Sequence, residues 1–188
     1  MSNKPYSLHN LNQEMRDMRI QSDFSQIALG QILGRTQKQM SEIENGLIDP
    51  SPELAINWFT ALGAFEHVDL VHYIFDLHPL AAAPIDPRLN EDLGRAILNL
   101  KQQIQHALDS IESIEEWISD LRPGQVTEVP MNDFKELYDL CPGVRTTLYA
   151  LNREFGINLK TLSDDWTRKS ISQRVAMPRY EERKLVNV

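Results

Sequence analysis

The chain has 188 residues, 41% of them hydrophobic and 24% charged, with a formal net charge of −8. These proportions describe a folded chain of one domain or two small ones. No run of about 18 apolar residues is present, so no membrane-spanning helix is expected. The opening MSNKPYSLHN has no apolar stretch of the kind a signal peptide needs. A single cysteine, Cys141, excludes an internal disulfide and suits a reducing cytoplasm, the expected location. The acidity is unevenly spread. Residues 1–64 hold five Lys/Arg and seven Asp/Glu, residues 65–121 three and eleven, and residues 122–188 eleven and nine, which gives −2, −8 and +2.

Residues 1–10 read as a short polar arm. Leu11 to Gln21 is the first expected helix, with Leu11, Met15 and Met18 on one side. Ser22-Asp23 interrupts it. The next stretch, Ser25 to Gly46, reads SQIALGQILGRTQKQMSEIENG. It holds two short amphipathic segments, Gln26 to Leu33 and Gln37 to Glu44, around a link at Gly34-Arg35-Thr36. Leu29, Leu33, Met40 and Ile43 fall at helical spacing and face one core. Gly34 sits where a chain leaving a helix often needs a left-handed residue, and Thr36 is an N-cap for the second helix. The exposed positions behind that cap are Gln37, Lys38, Gln39, Ser41 and Glu42. Amides, a lysine, a hydroxyl and a carboxylate are the groups that read base edges. This is the pattern of a helix-turn-helix.

Those residues resemble the helix-turn-helix of the lambda repressor and Cro class, the XRE family. The resemblance rests on the opening Gln26, the central Leu29-Gly30, the closing Leu33-Gly34, the cap Thr36, the core Met40 and the final Glu44-Asn45-Gly46. It extends to Arg19 on the incoming helix, and to Pro50 and Leu62-Gly63 downstream, and so covers residues 11–64. Two positions depart from the family pattern: Gly30, usually Ala, and Arg35, usually apolar. The resemblance implies a five-helix DNA-binding domain and an operator bound by a homodimer. It implies an ion pair between Arg19 and Glu44, and phosphate contacts from Gln26 and Asn45. With Thr36, Gln37, Lys38, Gln39, Ser41 and Glu42 these make up the expected DNA-binding residues. The absence of a basic surplus points to dimeric binding, with backbone N–H and amide contacts beside lysines.

Leu47 to Pro52 reads as a loop and Glu53 to Leu62 as a helix that buries Leu54, Ile56, Trp58, Phe59 and Leu62. Core packing accounts for Trp58 and Phe59 without a cofactor. Glu66 to His78 is a more apolar helix, expected to lie between domains or subunits. His67, His72 and His78 are spaced by five and six, which stacks no ligands on one helix face, and no metal site is expected. Pro79 to Pro87 is a linker, with Asp86-Pro87 read as cap and first turn of the next helix.

Arg88 to Leu121 carries Leu93, Ile97, Leu100, Ile104, Ala107, Ile111, Ile114, Ile118 and Leu121 in steps of four and three. That seven-residue repeat is a coiled-coil seam, to be closed by a twin helix or by later parts of the same chain. Gln125 to Val129 alternates like a short strand. Met131 to Leu140 and Val144 to Phe155 read as two helices split by Cys141-Pro142-Gly143, and Leu159 to Trp166 as a last short one. Residues 167–188, with six Lys/Arg and two Asp/Glu, form a basic tail.

The sequence thus predicts an all-α protein: a DNA-binding domain over 1–78, a linker over 79–87, a helical dimerisation or regulatory domain over 88–166, and the tail. The expected function is a sequence-specific transcriptional regulator, most simply a repressor, on a palindromic double-stranded DNA operator. Two alternatives stand beside it. One is an antitoxin that clasps a protein partner through residues 88–188. The other is a helical interaction module that no longer meets DNA. No nucleophile elbow, P-loop or metal motif points to an enzyme, and no cofactor is expected.

Overall fold

The structure, a computed structural model, describes residues 6–86, 88, 92–122 and 128–176. Among these residues every regular element is a helix: α1 (Leu8–Gln21), α2 (Gln26–Leu33), α3 (Gln37–Glu44), α4 (Pro52–Ala61), α5 (Phe65–Ile74), α6 (Leu93–Asp120), α7 (Met131–Phe155) and α8 (Leu159–Ser172). No helix is long and apolar enough to cross a membrane. Most of the alternating segment at 125–129 lies outside the described residues.

The first five helices enclose one core. Leu11 and Met15 of α1, Leu29 of α2, Met40 and Ile43 of α3, Leu54, Ala55, Trp58 and Phe59 of α4, and Val71 of α5 are buried together. Trp58 anchors the cluster twice. Its ring is fully buried and its Nε1–H donates to the Met15 carbonyl at 3.0 Å. A buried indole needs such a partner. α1 starts three residues earlier than the sequence pattern gave, because Ser7 and Asn10 form a reciprocal cap in which each side chain accepts from the other's backbone N–H.

The long helix begins later than expected. Asp92 is its N-cap, accepting from Gly94 N–H at 2.7 Å. Asp86, read as the cap, is instead bound to Arg88 through both carboxylate oxygens. α5 is shorter than the apolar run implied. It ends at Ile74, and Asp76 at φ +51° turns the chain away.

α6 and α7 form an antiparallel hairpin. Ser113 donates to Asp133 at 2.9 Å near one end, and Trp117 meets Phe134 edge-on at 6.4 Å; toward the other end Gly143 and Thr147 lie against Gln103 and Ala96. The buried residues are small on both sides: Ala96, Ala107 and Ser110 on α6, Gly143, Thr146, Thr147 and Ala150 on α7. Small residues let two backbones approach closely, so dispersion acts along the whole contact.

α7 corrects the expected break at Cys141-Pro142-Gly143. The helix runs through Pro142. An internal proline removes a backbone donor and costs about 3 kcal/mol. Here the loss is offset because the α6-facing stripe continues on both sides of the proline. Thr146 and Thr147 donate to the carbonyls of Pro142 and Gly143 at 2.7 and 3.0 Å.

The hairpin docks on α5. Tyr149 stacks on Phe65 at 5.9 Å and donates its hydroxyl to Asp69 at 3.1 Å. Arg145 pairs with Asp69 at 3.3 Å, and Arg153 with Glu66. α5 therefore packs on α4 and meets α7 through this largely polar set.

The helix approach at Gly143 sets a test. The nearest atoms to a Cβ there are at the far end of the Gln103 side chain, which can swing aside. Gly143→Ala is therefore expected to leave the melting temperature close to that of the parent. Gly143→Leu overfills the seam and is expected to lower stability by about 1–3 kcal/mol in a thermal melt.

Candidate nucleic-acid interface

The link between α2 and α3 is three residues long, Gly34-Arg35-Thr36, and its geometry follows from these and from the caps of the two helices. Ser25 opens α2 by accepting from Ala28 N–H at 3.0 Å. Gly34 closes it in the left-handed region, at φ +63°, where a side chain would be strained. The next N–H, of Arg35, donates back to the Gly30 carbonyl at 2.8 Å. Thr36 then starts α3 with a reciprocal cap: its hydroxyl accepts from Gln39 N–H at 3.3 Å, and Gln39 Oε1 accepts from Thr36 N–H at 2.9 Å.

The departure at Gly30 is explained by this fold-back. A Cβ on Gly30 would lie 2.7 Å from the Arg35 carbonyl oxygen. The obstacle is backbone and cannot rotate away. Arg35, the second departure, points outward and is exposed.

Glu44 fixes the inner side of α3. Its carboxylate accepts from Arg19 Nε at 2.5 Å and Nη2 at 2.8 Å, and from Gln26 Nε2 at 2.9 Å. Arg19 also donates to the Phe24 carbonyl at 2.7 Å. The Arg19 and Glu44 side chains are 11% and 2% exposed. Hydrogen bonding to Glu44 is the main cause that holds the Arg19 guanidinium above its usual pKa. Asn12 adds a second tie that the sequence reading missed. Buried on α1, it donates to the carbonyls of Ile43 at 2.7 Å and Ile48 at 3.3 Å. An Asn on an otherwise apolar helix face was the available signal.

The outer side of α3 carries the expected contact residues. Thr36, Gln37, Lys38 and Gln39 are exposed, and Ser41 and Glu42 are half-buried one turn later. Lys38 lies 3.7 Å from Glu42 but is 85% exposed, so this pair contributes little to stability. Three of the expected contact residues are held by hydrogen bonds to the scaffold. Gln39 has its carbonyl in the cap and offers no paired donor and acceptor in this conformation. Asn45 donates to the Ser41 carbonyl at 2.8 Å and hydroxyl at 3.2 Å. Gln26 holds Glu44, which leaves it one amide hydrogen for an outside acceptor. Gln37 alone keeps its amide clear of such duties beside Lys38.

Neither the first turn of α2 nor that of α3 carries an acidic side chain of its own to offset the positive helix end, which favours anions. Arg35 adds a cation between them. These features go some way to meet the lack of a basic surplus. Comparison of the chain with protein-family models, with curated proteins and with solved structures gives no match. Among the described residues no three His, Cys, Asp or Glu side chains converge in a way that could hold a metal ion.

Two substitutions check this construction. Glu44→Ala leaves a buried guanidinium unpaired and is expected to cost about 3 kcal/mol in chemical denaturation. Gly30→Ala is expected to destabilise by about 1–3 kcal/mol through the backbone clash, although alanine is about 1 kcal/mol the better helix former.

Proposed function

We propose that the chain is a sequence-specific DNA-binding regulator of transcription whose α3 enters the major groove and whose operator is bound by a homodimer. α1 to α5 are then a helix-turn-helix domain like that of the XRE family. The observation that carries this reading is the division of α3 into two faces. Met40, Ile43 and Glu44 fix the inner face, and Gln37, Lys38, Ser41 and Glu42 project from the outer one. A reading head needs such a rigid back and an open polar front.

Each group then has a role. Gln37 offers a donor and acceptor pair that fits adenine, and Lys38 reaches guanine or a phosphate. Glu42 accepts from cytosine. The N–H groups at the start of α2, with Gln26 and Arg35, meet the phosphate backbone. With few cations in each domain, two copies on half-sites about 34 Å apart supply the affinity that one lacks.

Selection of bound sequences from a random duplex pool tests the proposal. An inverted repeat is the expected product. Absence of enrichment would favour the interaction module, in which α3 meets a protein. On the selected operator Gln37→Ala is expected to cost about 1–3 kcal/mol and to relax preference at one base pair per half-site. Gln26→Ala is expected to weaken all DNA alike. Gln39→Ala is expected to lower the melting temperature while leaving base preference unchanged.

A further inference from the structure

The seven-residue repeat of α6 was expected to form one seam. In the folded chain it is two seams side by side. The first faces α7. It contains Ala96, Gln103, Ala107, Ser110 and Trp117, and it is closed within the chain. The second lies about a quarter-turn away, and among the described residues it stays half exposed. It consists of Ile97, Ile104, Leu108, Ile111 and Ile118, each between 40% and 55% exposed. The fully buried positions of the first stripe are small, with the half-buried Leu100, Ile114 and Trp117 at the same spacing, whereas the second stripe leaves large side chains exposed. A stripe of this kind, running about 30 Å along the helix, would be a solubility liability if it stayed in water.

The charges on α6 say what covers it. Residues 93–106 carry Arg95 and Lys101 and no acid; residues 107–120 carry Asp109, Glu112, Glu115, Glu116 and Asp120 and no base. The two gaps in the exposed stripe are Lys101 and Glu115, and they repeat this polarity. Along the helix the stripe reads Ile97, Lys101, Ile104, Leu108, Ile111, Glu115, Ile118. It is close to a palindrome about Leu108. Turned end for end, a second copy sets Ile97 against Ile118, Lys101 against Glu115 and Ile104 against Ile111. A parallel copy would set Lys101 on Lys101, Glu115 on Glu115, and one acidic half on the other.

We propose that this stripe is the homodimer interface, formed by a second copy of the chain with the two α6 helices antiparallel and crossing near Leu108. The proposal rests on the dimer of the functional reading and not on DNA recognition. With α7 behind each α6, the product is an antiparallel four-helix layer. Isoleucine every seventh residue packs such a seam. The Lys101 to Glu115 pairs select the direction, because the parallel alternative places like charges opposite each other.

The test uses the full-length protein without DNA. Sedimentation equilibrium is expected to show a dimer at micromolar concentration. Ile104→Glu and Ile111→Glu are expected to raise the dimer dissociation constant by about a hundredfold or more, while circular dichroism keeps the parent's helical content, since both side chains are exposed in the single chain. Lys101→Glu is expected to weaken the dimer, and Lys101→Glu with Glu115→Lys to restore it. In a Cys141→Ser background, Lys101→Cys mixed with Glu115→Cys is expected to form an intermolecular disulfide, and Lys101→Cys alone is not. A monomer at every concentration overturns the proposal. So does a dimer that both glutamate variants leave intact, or ready self-crosslinking of Lys101→Cys. A dimer that passes every arm yet enriches no DNA sequence retains this interface and rejects the operator reading alone.

Discussion

The buried carboxylate of Glu44 is the interaction on which the N-terminal helices depend. It binds Arg19 from α1 through two bonds and Gln26 from the first turn of α2 through a third. Two buried charges are expensive to desolvate, and the attraction between them repays this only when geometry is good and the remaining hydrogen-bonding sites are filled. Both conditions hold here. Arg19 spends its remaining nitrogen on the Phe24 carbonyl, at the entrance to α2. One carboxylate thereby sets the end of α3 against two other helices. The orientation of the outer face of α3 follows from it, as does the separation of scaffold residues from those left to meet a ligand.

The second half of the molecule is joined to the first by different physics. Phe65, Asp69 and Glu66 on α5 meet Tyr149, Arg145 and Arg153 on α7. Burial pushes the Asp69 carboxyl up and the Tyr149 hydroxyl up, with Arg145 opposing both. This junction is narrow and polar, unlike the apolar core of α1 to α5. It fixes how the hairpin sits on α5 through directional bonds more than through buried area.

Within the hairpin, size decides what packs where. A helix with two adjacent heptad stripes can close only one of them with a single neighbour. α7 brings Gly143, Thr146, Thr147 and Ala150, and the matching partners on α6 are Ala96, Ala107 and Ser110. Close backbone approach suits small side chains. Ile97, Ile104, Ile111 and Ile118 stand on the other stripe, where they stay exposed.

Much of this was legible in the sequence, because the signals were local. Helical spacing placed Leu29, Met40 and Ile43 on one face. The hydroxyl of Thr36 capped the helix it precedes, and Gly34 took the left-handed turn, since caps and turns depend on a few neighbouring atoms. The all-helical class followed from the same periodicity. What the sequence could not decide were matters of distance between segments. Gly30 looked like a weak helix residue until the Arg35 carbonyl lay against it. Gln39 was expected among the contact residues, and only the folded chain shows its oxygen accepting from the Thr36 N–H of the cap. Pro142 looked like a helix end until α6 supported both sides of it. The repeat in α6 fixed a seven-residue period but not which stripe met α7, because periodicity records spacing along one helix, whereas the choice of stripe depends on the width of the gap to the next.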